Sequence, residues 1–291
     1  MKIAIIGASG LLGEGFLHLK TKHELVATTF SKDSINTSTV LDIRKYDDVK
    51  KFLDEFKPSV VINTSAITNP EYCEMNPIET NQTNVIGVKN LAEICNDFKI
   101  HFIQISTEYV FDGITGKYKE ESVTNPISKY GKSKLESEKI TLQTNNSFCV
   151  ARTAMLFGWS KNKLNLATLL ISKLSQGEKL DVINDQIVSP SYNDNVAEIL
   201  LELAEKKLGG IYHVSGSDIM SRLEFAKALS KEFKLDEKLL ESISISEFNW
   251  KAKRPKNGGL VIEKISKILH TKTMSVSESL KQMRIDSIAK M

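Results

Sequence analysis

The chain has 291 residues, 41% hydrophobic and 26% charged, with a formal net charge of +3. That is ample apolar sequence for one large domain or two coupled ones, and its interspersed charges exclude the basic surface that nucleic acid or an anionic membrane selects. No apolar run approaches the roughly 18 residues of a membrane span, no secretory signal opens the chain, and the widely spaced Cys73, Cys95 and Cys149 read as reduced thiols of a cytoplasmic protein.

Residues 2–7 read as a buried strand that runs into Gly7-Ala8-Ser9-Gly10-Leu11-Leu12-Gly13 and a helix over 11–22. Glycines in that place permit a tight turn, close approach to a pyrophosphate and close packing of helix on sheet, and the helix N-terminus offers free N–H groups. Strands over 25–30, 59–63, 100–106 and 148–151 alternate with helices over 46–56 and 84–98, the last with an apolar stripe of Val85, Val88, Leu91, Ala92, Cys95 and Phe98. The alternation predicts an α/β fold, a doubly wound parallel sheet of Rossmann type with ligands beyond the strand carboxyl ends. The second strand ends at Thr29 where NAD sites carry an acidic residue, and Ser31 and Lys32 follow. A hydroxyl and an ammonium suit a 2′-phosphate, so NADPH is favoured, although Asp33, 20 residues past Gly13, keeps NADH open.

Beyond residue 152 the pattern loosens into a helix over 165–176, a short strand over 180–183, a loop over 185–194, a helix over 195–206, a strand over 211–214 and a helix over 221–233. A polar loop over 249–259 carries Lys251, Lys253, Arg254 and Lys256. A last amphipathic helix would turn Leu280 and Met283 inward.

The chemistry concentrates in Ser106-Thr107-Glu108-Tyr109 and in Tyr130-Gly131-Lys132-Ser133-Lys134. On a helix Tyr130 and Lys134 share a face one turn apart. A free phenol has a pKa near 10, and a neighbouring ammonium lowers it toward the working range of a proton donor. Thr107, just after a buried strand, would hold the carbonyl oxygen while hydride goes to carbon. Tyr46 and Lys50 repeat the spacing without that context and read as an exposed helix face. The five histidines show no tight ligand spacing, so no catalytic metal is expected, and no nucleophile elbow or P-loop is present.

The segments STEYVFDG, TNPISKYGKSKLESE, RTAMLFG and DQIVSPSYNDNVA resemble the dTDP-4-dehydrorhamnose reductase family of extended short-chain dehydrogenases/reductases, from Met1 to about Leu269. The resemblance implies a Rossmann domain over 1–152, rejoined by 184–206, and a smaller substrate domain over 153–183 and 207–291 that closes on a nucleotide-sugar. It implies reduction of a 4-keto group on a nucleotide-linked 6-deoxyhexose and leaves a homodimer open. By motif position it carries over Thr107, Tyr130 and Lys134 as the catalytic trio and Asn84 as the helix-kink asparagine of a proton relay. Asp42 and Ile43 match an adenine-contacting pair, Asn63, Ser65 and Ala66 the strand end beneath the cofactor, and Thr68 and Tyr109 the sugar pocket.

One departure is Met155 where members often place Trp as a platform for the sugar, and Trp159 lies four residues on. Arg254 reads either as a clamp on a diphosphate or as part of a solvated loop. Sugar dehydratases place Asp-Glu after the catalytic Thr, and Glu108-Tyr109 argues against their elimination chemistry. The regulatory subunit of methionine adenosyltransferase resembles the same family, so a non-catalytic dinucleotide-binding subunit is the alternative.

Overall fold

The computed structural model describes residues 1–31 and 39–290. Its centre is a seven-stranded, all-parallel sheet. In chain order the first six strands are β1 (Lys2–Ile6), β2 (Glu24–Thr29), β3 (Thr39–Val40), β4 (Val60–Asn63), β5 (His101–Thr107) and β6 (Cys149–Thr153). The spatial order is β3-β2-β1-β4-β5-β6, with the strand Gly210–His213 paired outside β6. The order reverses between β1 and β4, which opens a crevice at their carboxyl ends.

The apolar runs are continuous because the sheet is covered on both faces. Period-two alternation divides β1 between them: Ile3 and Ile5 enter one core, Ala4 and Ile6 the other. The first core is closed by α1 (Leu11–His18) and by Val196, Ala197, Leu200 and Leu201. The second is closed by α2 (Tyr46–Phe56) and by Val88, Leu91 and Cys95. Helix α1 ends at His18, short of the predicted 22, because Leu19 is extended and packs on the first core.

Two short helices, α3 (Pro70–Met75) and α4 (Pro77–Asn81), start on prolines at their first positions. α4 continues through a π-turn at Gln82–Ile86 into α5 (Gly87–Asp97), so the helix expected from 84 begins about two turns earlier, at Pro77. Helix α6 (Lys129–Thr144) runs back along the sheet.

A third core lies among α7 (Leu166–Ser175), α9 (Arg222–Phe233) and the last helix, Val276–Lys290, while α8 (Asn193–Lys206) packs into the first. Phe157, Leu170, Leu174, Tyr192, Phe225, Leu229, Leu280 and Met283 fill it, the last two facing inward as their spacing predicts. The strand Leu180–Ile183 pairs in parallel with Leu240–Ile243 beside it. α7 and α9 both open on reciprocal capping boxes, Asn165 with Thr168 and Ser221 with Glu224.

The strand Gly210–His213, counted by sequence with the smaller unit, instead extends the main sheet, and Ile265 and Leu269 pack in the first core. A run as short as Ile211-Tyr212 does not announce which sheet it joins. No helix among the described residues is long and apolar enough to cross a membrane.

Candidate active site

At the end of β1, Gly7 turns the chain with φ of +86°, and a Cβ there would lie 2.7 Å from the Ser65 backbone. A Cβ on Gly13 would come within 2.5 Å of the Gly7 carbonyl oxygen, so α1 rests directly on the turn. Gly10 is the N-cap of α1 and supplies no side-chain cap, which leaves the first N–H groups to an anion. Gly7, Ser9, Gly10, Ser65 and Ala66 line a cleft of about 250 Å³ together with Asp42 and Ile43. This narrow, backbone-walled cradle fits the diphosphate and adenosine of a nicotinamide dinucleotide.

Leu11 opens α1, while Leu12 packs into the first core and Asn63 is buried under the cleft, bonding Gln104 at 2.8 Å and Ser65 Oγ at 2.6 Å. Ser31 is exposed just past β2, its carbonyl accepting from Thr29 Oγ1 at 2.9 Å. Lys32 and Asp33 lie outside the described residues. Sequence reasoning missed Arg44 and Lys163, which also line the cleft. Arg44 grips both Asp42 oxygens at 2.8 and 2.7 Å, holding that carboxyl below the usual carboxylate range, and lies 5.2 Å from the Phe30 ring centre.

The second half of the site depends on a glycine that the spacing rule treats as filler. Ser128 caps α6 by accepting from Gly131 N–H at 3.1 Å. A Cβ on Gly131 would fall 2.2 Å from the Tyr109 carbonyl oxygen, so only glycine lets α6 press onto the turn Glu108–Val110. Tyr130 is thereby buried edge-on to Tyr109, ring centres 5.5 Å apart, against Cys73 and Ile67. The Thr107 hydroxyl is close enough to the Tyr130 phenol to favour the ionised form. Lys134 is also buried one turn on, while Tyr46 is exposed on α2.

Burial, not the ammonium, dominates this pair. Desolvation pushes the Tyr130 phenol well above its ordinary value, the Glu108 carboxyl adds to the rise and the nearby Thr107 hydroxyl opposes it. The expected lowering by Lys134 is therefore corrected: the phenol stands fully protonated, as a proton donor in reduction should. Burial brings the Lys134 ammonium down to about 8, against the pull of Glu138.

Asn84 sits in the π-turn with no exposed surface. Its Oδ1 accepts from Ile67 N–H at 2.8 Å, and its Nδ2 donates to the Ile67 carbonyl at 2.9 Å and to Ser133 Oγ at 3.1 Å. It thus ties the loop after β4 to α6 between Tyr130 and Lys134.

Below Thr107, the Ser106 hydroxyl donates to Glu138 at 2.5 Å, and Arg152 holds both Glu138 oxygens at 2.9 and 2.7 Å. The guanidinium lies 5.1 Å from the Phe111 ring centre. This buried ion pair locks α6 to β5 and β6.

On the side facing the third core, Tyr109 meets two arginines. Arg254 favours its ionised form, stacks 3.6 Å over Trp250, and lies 3.9 Å from Glu71, which accepts Lys251 and Ala252 N–H at 2.9 and 3.0 Å. The basic loop is therefore docked on α3. Arg222 opens α9, burial lowers its pKa, and its Nε and that of Arg254 are buried without a partner. Sequence reasoning missed Arg222; a cation at the first position of a helix, against the dipole, was the available signal.

Thr68 is exposed on the loop between β4 and α3. The Met155 N–H favours the ionised form of the Glu108 carboxyl while the Met155 side chain flanks the third core. Trp159 donates its indole N–H to the Met283 carbonyl at 2.7 Å and meets Phe233 edge-on, so it serves packing and not the site.

A doubly wound sheet with a glycine turn, and a buried Thr, Tyr and Lys at its carboxyl end, defines a nicotinamide-dependent reductase of the short-chain type. Residues 1–288 match the family described as RmlD substrate binding domain. The chain belongs to the dTDP-4-dehydrorhamnose reductase family of NADPH-dependent oxidoreductases.

It is 32% identical to a dTDP-4-dehydrorhamnose reductase of Aggregatibacter actinomycetemcomitans, over 97% of this chain and 98% of that one. A dTDP-4-dehydrorhamnose reductase of Bacillus anthracis, solved with NADP, superposes with a TM-score of 0.90 at 27% identity, covering 98% of this chain and 99% of that one. The chain is also 32% identical to the methionine adenosyltransferase 2 subunit beta of Xenopus tropicalis, over 91% of this chain and 81% of that one.

Proposed function

We propose that the chain is a cytoplasmic reductase that uses NADPH in preference to NADH to convert the 4-keto group of a nucleotide-linked 6-deoxyhexose to an alcohol. The observation that carries this reading is the burial of Thr107, Tyr130 and Lys134 together at the carboxyl end of the sheet, beside the glycine-walled cleft.

NADPH supplies the hydride. Gly7 to Gly13, Asp42, Ile43, Asn63, Ser65 and Ala66 would hold the dinucleotide, with Ser31 toward its 2′-phosphate. Thr107 orients the carbonyl oxygen, and Tyr130 gives that oxygen its proton. The Lys134 charge steadies the phenolate left behind, and Asn84 keeps the relay's loop and helix in register. Arg254 and Arg222, cations with unpartnered Nε atoms, take the substrate diphosphate, while Thr68, Tyr109 and Met155 face the hexose. The smaller unit, over 153–183 and 207–291 apart from the strand at 210–213, closes over the sugar.

Purified protein given NADPH and a dTDP-4-keto-6-deoxyhexose is expected to lose NADPH absorbance in step with sugar reduction. Tight NADPH binding with no turnover of any 4-keto sugar would transfer the chain to the regulatory-subunit reading. Met155→Trp should change selectivity among 4-keto sugars by roughly 10–200-fold, the range one apolar contact commands. Unchanged relative kcat/KM values would remove Met155 from the pocket.

A further inference from the structure

Thr107 has one hydroxyl proton, and Glu108 already holds it. Thr107 Oγ1 donates to Glu108 Oε2 at 2.8 Å and itself accepts from the Tyr109 N–H at 3.3 Å. A carbonyl oxygen entering the site needs that proton too, and one O–H cannot serve both acceptors. The conflict disappears when the Glu108 carboxyl carries a proton of its own. Glu108 then donates to Thr107 Oγ1, and the Thr107 O–H is released to the carbonyl.

We propose that Glu108 is a positioning residue whose protonated form turns the Thr107 hydroxyl toward the substrate carbonyl, so that reduction runs on the acid form of Glu108 and fades as it ionises. The proposal rests on the reductase reading above. Glu108 is buried in the turn after β5. It is faced by Tyr130 of α6, Tyr109 of its own turn, Arg222 of α9, the Met155 N–H and the basic loop, where a Cβ on Gly258 would fall 3.0 Å from Glu108 Cγ.

Burial outweighs the opposing influences of the Thr107 and Met155 hydrogen bonds and the Arg222 charge, and it holds the carboxyl above the usual glutamate range. Both neighbouring phenols are pushed upward as well, so neither ionises first. No proton leaves Glu108 during turnover. Hydride reaches carbon, the Tyr130 proton reaches oxygen, and Glu108 and Thr107 only exchange the direction of a hydrogen bond.

The test is kcat against pH, at saturating NADPH and 4-keto sugar, for wild type, Glu108→Gln and Arg222→Met. Wild type should decline on the alkaline side in two stages, one belonging to Glu108 and one to Lys134, whose pKa lies at about 8. A glutamine amide donates to Thr107 at every pH. Whatever its maximal rate, Glu108→Gln should therefore lose the Glu108 stage and stay within roughly threefold of its own maximum where that stage has lowered wild type about tenfold.

Arg222→Met removes a cation that favours the carboxylate and should move the Glu108 stage to higher pH. A purely structural role would scale the rates and leave the profile in place. Superimposable profiles for wild type and Glu108→Gln overturn the proposal, as does a glutamine variant inactive at every pH while binding NADPH normally. If that variant fails to bind NADPH, an unmoved decline in Arg222→Met overturns it alone. A wild type that reduces no 4-keto sugar fails the reductase reading itself, before any variant is compared.

Discussion

Tyr130→Phe is expected to lower kcat by roughly 10²–10⁴-fold, the usual worth of a positioned general acid. The phenol is the only group on α6 that combines burial beside Thr107 with a proton held firmly at neutral pH. Phenylalanine keeps the edge-on contact with Tyr109 and the packing against Cys73, so NADPH affinity should stay within a small factor. Single-turnover rates and a fluorescence titration with NADPH separate the two effects. A variant within threefold of wild type would take Tyr130 out of the mechanism. Tyr46→Phe, on the exposed face of α2, is the matched control and should change nothing.

Glu138→Gln is expected to destabilise the fold by about 3–5 kcal/mol, because it leaves the Arg152 guanidinium buried without its countercharge. Both side chains are almost fully inaccessible, at 2% and 3% exposure, so water cannot substitute for the lost carboxylate. The same change withdraws the carboxyl that supports the Lys134 ammonium and sets an amide N–H against the Arg152 Nη2 donor, leaving one oxygen for both Ser106 and Arg152 Nε. Urea unfolding should show a lower midpoint at unchanged slope. A loss below 1 kcal/mol would mean that α6 is held by packing alone. Replacing Glu138 and Arg152 together with Met should recover much of the loss, since a buried pair is worth little more than apolar side chains of similar size.

The sheet and the dinucleotide turn were legible because they rest on local rules. A short continuous apolar run, a glycine string at a strand end and a hydroxyl after a buried strand each carry their meaning within about ten residues. Tyr130 and Lys134 were legible as a pair, but the sign of the phenol's pKa was not. Spacing reveals a neighbouring charge and says nothing of how deeply both groups are buried.

Arg222 and Arg44 escaped for another reason: each gains its role only when distant elements meet, α9 with the turn after β5 and the segment after β3 with β2. The strand Gly210–His213 escaped similarly, since its partner β6 lies some sixty residues earlier in the chain. Gly131 was in plain view within the motif, yet its necessity depends on a carbonyl supplied by Tyr109.

The π-turn at Gln82–Ile86 has a consequence for how the helix around it is read. One extra residue in the turn slips the helix phase by about 100°. In an unbroken α-helix Ile78 would lie seven residues ahead of Val85 on the apolar stripe and point into the sheet. It is instead 79% exposed, while Thr80 and Asn84 are buried. The slip gives one rod two independent rotational settings. The later half answers to the hydrophobic core and the earlier half to the loop and helix around the reaction centre, so either half can change its side chains without re-aiming the other.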